Sequence, residues 1–186
     1  DMLTTTFNID GKEYTPLHCA LRWGGAEIVQ SVLAAAKDHS DDLLKEMLTT
    51  VFTCKHDGKE YTPLHYATIF DYGSTEKVKA VLSAAKAHSD DLLQEMLTAT
   101  FKYDGKEHTP LHFAIIYGYV RTEIVKALLA AAKDHSDDLL KDMLTTTFKE
   151  YGIGCTPLYY AISYRKTEIV TALLAAAKDH SDDLLK

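Results

Sequence analysis

Apolar residues recur along the chain with a helical period, broken at regular intervals by short polar stretches. Ile28, Val29, Val32, Leu33 and Ala36 share one face of a helix that opens near Glu27. His39-Ser40-Asp41-Asp42 interrupts that stripe, and a further helix follows with Leu43, Leu44, Met47, Leu48 and Val51 on its buried face. Ser40 or Asp41 caps this later helix, with the acidic pair at its positive dipole end. Upstream, Thr15-Pro16 predicts another start, because proline suits the first helical position and threonine can accept a hydrogen bond as N-cap. That first helix runs from about Leu17 to Trp23 and stops near Gly24-Gly25. Asp10-Gly11, Asp57-Gly58 and Asp104-Gly105 are two-residue turn signals that suit a tight hairpin with positive φ. One unit therefore reads as a hairpin followed by three helices.

The unit repeats. Thr-Pro-Leu-His stands at Thr15–His18, Thr62–His65 and Thr109–His112, and Thr-Pro-Leu-Tyr at Thr156–Tyr159. Pro16, Pro63, Pro110 and Pro157 are each 47 residues apart. The segment from Leu33 to Lys45 is identical to 129–141 and 174–186, and the second repeat carries a close copy. None of the helices can bury its stripe alone, so the units must stack. The pattern predicts one repeat domain over 1–186, with repeats at approximately 1–46, 47–95, 96–142 and 143–186. Length changes fall in turns: Pro63 to Glu76 is two residues longer than Pro16 to Glu27.

In the third unit, Thr109-Pro110-Leu111-His112-Phe113-Ala114, then Gly118, then Glu123-Ile124-Val125 and Leu128-Leu129, resembles the ankyrin repeat. The Asp six residues before proline (Asp10, Asp57, Asp104) matches that family's hairpin. The resemblance covers all four units. It implies an all-α fold with short hairpin loops, an ankyrin-like α-solenoid of four stacked repeats with three helices each. An ankyrin repeat has about 33 residues and two helices; the excess here is the third helix. The family's glycine before Thr-Pro is replaced by Glu13-Tyr14, Glu60-Tyr61 and Glu107-His108, and its Ala-Ala by Ala20-Leu21, Ala67-Thr68, Ala114-Ile115 and Ala161-Ile162. The resemblance also implies a structural role for His18, His65 and His112: hydrogen-bonding neighbouring backbone and tying one hairpin to the next. Tyr159 takes their place in the fourth unit.

Helices two and three are nearly copied from unit to unit, whereas helix one, the turn after it and the hairpin vary. Seven residues past each proline stands an aromatic: Trp23, Phe70, Tyr117 and Tyr164. The residues before them are Arg22, Ile69, Ile116 and Ser163, and the following turns add Tyr72 and Tyr119. In proteins similar to ankyrin repeats these places line the binding face, so this set is the expected partner-binding surface of a protein–protein interaction scaffold. Tyr, Trp, Phe and Arg are the usual interface anchors. Periodic aromatics can equally be core, and exposure separates the two readings.

Composition narrows the classes. The chain has 186 residues, 46% of them hydrophobic, and a net charge of −7, against the basic footprint that nucleic acid requires. No apolar run approaches a membrane span. Cys19, Cys54 and Cys155 have no metal or disulfide spacing; Cys19 and Cys155 read as apolar fillers and Cys54 as a loop residue. A reducing, cytoplasmic setting is the expectation, with a secreted effector or an extracellular fibre as the alternatives. Asp38-His39-Ser40, Asp134-His135-Ser136 and Asp179-His180-Ser181 hold the residue types of a hydrolase triad, but neighbours in sequence cannot easily take the triad's geometry, and capping explains them. The acidic row Asp41, Asp42, Asp90, Asp91, Asp137, Asp138, Asp182 and Asp183 lacks calcium-loop spacing. No enzyme, cofactor or metal is expected. The chain begins and ends inside a predicted third helix, and Leu184-Leu185-Lys186 joined to Asp1-Met2-Leu3-Thr4-Thr5-Thr6-Phe7 reads as residues 139–148 of the same chain. That continuity predicts an excerpt of a longer array, or a structural array or filament segment that associates end to end.

Overall fold

The computed structural model describes residues 2–3, 5–9, 12–53, 58–69, 74–117, 122–150 and 153–180. Within them each repeat is a two-stranded antiparallel hairpin followed by helices, as the periodicity predicts. The first repeat holds β1 (Phe7–Ile9), β2 (Lys12–Tyr14), α1 (Pro16–Trp23), α2 (Ala26–His39) and α3 (Asp41–Thr49). The second holds β3 (Phe52–Thr53), β4 (Glu60–Tyr61), α4 (Pro63–Ile69), α5 (Thr75–His88) and α6 (Asp90–Thr98). The third holds β5 (Phe101–Tyr103), β6 (Lys106–His108), α7 (Pro110–Tyr117), α8 (Thr122–His135) and α9 (Asp137–Thr145). The fourth holds β7 (Phe148–Glu150), β8 (Ile153–Cys155), α10 (Pro157–Ser163) and α11 (Thr167–His180). Its third helix, expected from Ser181 on, lies outside the described residues, as do Asp10-Gly11, Asp57 and Cys54.

Local chemistry sets the boundaries. Thr15 caps α1 by accepting from the His18 N–H, and proline opens the helix. Ser40 caps α3 by accepting from the Leu43 N–H at 3.1 Å, and Ser136 does the same for Leu139. The Asp104-Gly105 turn has positive φ at both residues (50° and 79°), the geometry of a tight hairpin turn.

The chain divides into two compact units, Asp1–Met96 and Leu97–Lys186. In the first, α1 packs on α4 and α2 on α5; in the second, α7 packs on α10 and α8 on α11. Val29, Leu33 and Ala36 of α2, and Leu43, Leu44, Met47 and Leu48 of α3, are buried as the stripes require. Two expected members of those stripes are not. Ile28 is exposed because it lies on the side of α2 that, in α5 and α11, faces the preceding repeat. Val51 is exposed because α3 ends at Thr49 and the extended link to β3 no longer keeps the helical phase. Small residues keep the helix-two ridge low, leaving a groove of about 300 Å³ between α2 and α5 and one of about 270 Å³ between α8 and α11.

Polar links reinforce each stack. At the place of Ile28, the second repeat carries Lys77, which is buried and donates from Nζ to the Leu21 carbonyl at 2.9 Å. That oxygen belongs to the last turn of α1, where the helix dipole favours a cation. In the second unit Thr122 donates to Glu168 at 2.9 Å. Exposed pairs such as Lys126–Glu123 contribute little.

Truncating Leu44, which is fully buried, to alanine is expected to cost about 2–5 kcal/mol. Ser40→Ala, which removes only a cap, is expected to cost about 1 kcal/mol. Urea unfolding of the two variants checks the ordering; equal losses would contradict it.

Candidate functional site

The Thr-Pro-Leu-His motif forms a clasp between repeats. His18 Nδ1 accepts from the Thr15 N–H at 3.4 Å and lies 3.1 Å from the Thr15 hydroxyl, while the His18 N–H donates back to that oxygen. With Nδ1 accepting, the ring proton sits on Nε2. The ring interacts with the backbone of Thr50, just before the next hairpin. Phe52 of that hairpin stacks on the imidazole with centroids 3.5 Å apart. The second unit repeats the arrangement: His112 lies 2.8 Å from the Thr109 hydroxyl, interacts with the Thr146 backbone and is covered edge-on by Phe148. His65 holds the Thr62 hydroxyl at 2.7 Å. Pro63, Pro110 and Pro157 are buried beside these caps, and Pro16 is half-buried.

Burial drives His18 down to about 3, a fall the Thr50 backbone only partly opposes. His112 is also held at about 3, by burial first and then by neighbouring His108, against the Thr146 backbone. Covered by a phenyl ring, each imidazole would carry the charge of an added proton without water to solvate it.

The variable face falls into two patches. In the first unit Trp23, at the end of α1, is 58% exposed, with the Tyr14 ring 5.7 Å away and the Arg22 guanidinium 5.2 Å above its face. Arg22 also donates to the Tyr66 hydroxyl of α4 at 3.3 Å, and Ile69 is half-buried. In the second unit Tyr164 is 46% exposed and stacked over Tyr160. Tyr117 is half-buried among Tyr103 at 4.5 Å and Phe113 at 5.0 Å. Burial, followed by Asp104 and Tyr103, pushes its phenol pKa up. Ile116 is half-buried and Ser163 exposed. Phe70, Tyr72 and Tyr119 lie outside the described residues. The aromatic series is thus mixed: exposed at Trp23 and Tyr164, packed against its hairpin at Tyr117. Sequence reasoning missed Tyr14 and Tyr103, the hairpin rings that support the series. For Tyr14 the recurrence of a ring two residues before Pro16, Pro63 and Pro110 was the available signal.

The remaining polar clusters are structural in geometry. Ser40, Ser89 and Ser136 spend their hydroxyl oxygens on helix caps. Among the described residues no group of His, Cys, Asp and Glu is arranged to hold a metal ion. Nor is any described helix long and apolar enough to cross a membrane. Cys155 is buried and Cys19 half-buried.

The clasp makes stability acid-sensitive, with a defined sign. Both histidines have folded pKa values far below the usual 6.5. Their contribution is complete above about pH 6.5 and is lost towards pH 3, as the unfolded chain takes up protons that the folded one excludes. Each is expected to remove roughly 1.4 kcal/mol per pH unit in that window. Melts between about pH 6.5 and 5, above most carboxylate titration, measure it. The double variant H18N/H112N should show a shallower slope, and an unchanged slope would count against the clasp.

The family model described as "Ankyrin repeats (3 copies)" matches residues 31–135 and 81–183, and the single "Ankyrin repeat" model matches residues 12–48. No curated protein matches the chain. Ankyrin repeats imply a stacked helical solenoid, are generally protein–protein interaction modules and are typically non-enzymatic. With its Thr-Pro-Leu-His caps, its hairpins and matches across nearly its whole length, the chain belongs to the ankyrin repeat family.

Proposed function

We propose that the chain is a scaffold that binds a protein partner through its helix-one and hairpin face. Arg22, Trp23 and Ile69 supply the contacts in the first unit, and Ile116, Tyr117, Ser163 and Tyr164 in the second. Phe70, Tyr72 and Tyr119 belong to the same face by their place in the repeat. The observation that carries this reading is Trp23: a large apolar ring left 58% exposed, yet propped by Tyr14 and bracketed by Arg22. A ring held in place loses little freedom on binding, which favours it as an anchor.

A second reading, an array whose copies stack end to end, is favoured by the near-copying of helices two and three from repeat to repeat. The two readings use different surfaces and are compatible.

Peptides selected from a displayed library on the immobilised chain test the first reading. Binders are expected to lose about 30-fold or more in affinity on Trp23→Ala or Tyr164→Ala, the size of a hot-spot contact. Exposed Asp138→Asn, at the start of α9, should leave them unchanged. Binders indifferent to both aromatic variants would place the binding surface elsewhere.

A further inference from the structure

Charge is divided unevenly within the second unit. Its hairpin and helix-one segments, 100–121 and 147–166, carry six basic residues against three acidic ones. Its second and third helices, 122–146 and 167–186, carry five basic residues against nine acidic ones. The hairpin and helix-one segments of the first unit, 1–25 and 51–74, hold four basic against six acidic, so the basic excess belongs to the second unit.

The fold brings part of that excess to the tyrosines. Tyr103 pairs with Lys106 across β5 and β6, which sets both on one side of the hairpin, while Lys102 and Glu107 form the next pair on the other side and offset each other. Tyr103 lies 4.5 Å from Tyr117. Lys106 and Tyr164 of the next repeat both act on the Tyr117 hydroxyl, as does Asp104 of the hairpin turn, more strongly than Lys106. Tyr117 stays half-buried although α10 of the next repeat packs on its helix. The face therefore runs along the unit, and a further repeat would extend it.

Arg165 follows Tyr164 and is exposed. Its φ of 55° is left-handed, a conformation that glycine takes freely and that a side chain disfavours. The turn there is closed by backbone alone: the Arg165 N–H donates to the Ile162 carbonyl and the Lys166 N–H to that of Ala161, both at 2.9 Å. Glycine would close it equally well. The end of α10 favours a cation, and Lys166, half-buried beside Arg165, already stands there. A strained arginine at such a place points to a duty for its side chain.

We infer that the helix-one and hairpin face of the second unit binds an acidic segment of a partner protein, with an apolar side chain on the tyrosines and carboxylates at Lys106 and Arg165. This rests on the scaffold reading above and adds the charge of the partner. A chain of net charge −7 repels an acidic segment over most of its surface. A single basic face then decides where the segment lands and in which orientation. The phenols serve the same chemistry, since a neutral hydroxyl donates to a carboxylate. Burial and Asp104 raise the Tyr117 pKa and so keep that hydroxyl protonated. Burial also lowers the pKa of Lys166, leaving a partly desolvated cation that gains from a nearby anion.

The displayed library supplies the test. Its binders are sorted into those that lose affinity on Trp23→Ala and those that lose it on Tyr164→Ala. The second group is expected to be rich in aspartate and glutamate, and the first is not. Arg165→Gly and Lys106→Gln are each expected to weaken the second group about fivefold or more, with a loss that shrinks as salt is raised. Asp104→Asn, which removes the local carboxylate, should strengthen it. Lys126→Gln, the same change of charge on α8, should leave it unchanged. Arg165→Gly is expected to keep the wild-type circular-dichroism spectrum, because glycine takes that backbone without strain. Binders indifferent to both aromatic variants would overturn the scaffold reading itself. Tyr164-dependent binders that are neutral or basic, or the absence of any, would leave that reading standing and overturn the acidic partner. So would acidic binders that Arg165→Gly and Lys106→Gln leave unmoved or that Asp104→Asn weakens. An oligouridylate bound to this face more tightly than the acidic peptides would overturn it in favour of a nucleic acid.

Discussion

Helix two has an apolar stripe wider than its own repeat can cover, and everything else in the structure follows from that shortage. Val29 and Ala36 point into the repeat, while Leu33 looks to the next one and the Lys77 and Ile169 places look to the one before. A lone repeat would leave two rows of side chains in water, at roughly 25 cal/mol for each Å² of apolar area. Stacking removes them. It also demands that helix two be nearly invariant from copy to copy, because each copy must serve as lid for one neighbour and floor for the other.

A stack closed only by aliphatic side chains would be indifferent to register. The Thr–His clasp supplies direction. The imidazole is fixed by its own cap on one side and covered by the following hairpin on the other, so the next repeat is fitted through its Phe. Burying a neutral histidine this way is tolerable only because Nδ1 is satisfied within the capping turn. The junction-specific links add to this. Lys77 on the Leu21 carbonyl in the first unit and Thr122 on Glu168 in the second differ although the surrounding helices are near-copies.

Variation is left to the parts that carry no stacking duty. The end of helix one and the hairpin meet over a small aromatic base, Tyr14 under Trp23 and Tyr103 beside Tyr117. The base holds the outer rings without covering them fully. Packing and presentation are therefore two aspects of the same aromatic series, and a residue can belong to either according to how far its hairpin reaches. The third helix, with its Ser cap and acidic start, buries Leu43, Leu44, Met47 and Leu48 away from that face.

The sequence by itself determined the repeat, its helix starts and its family, because proline, Ser and Thr caps and Asp-Gly turns act on the few residues around them. It also determined most of the core, since Leu44, Leu48 and Leu111 have no other place in a helix of that phase. It did not determine which side of each stripe is covered. Ile28 and Ile169 occupy the same place in the same motif, yet one lies in solvent and the other is buried, because coverage depends on a neighbour that the local pattern does not contain. The same holds for Trp23 and Tyr117. Only the tertiary structure decided that a hairpin tyrosine packs over one and leaves the other more than half open, since that contact joins residues separated along the chain and depends on where the hairpin comes to rest.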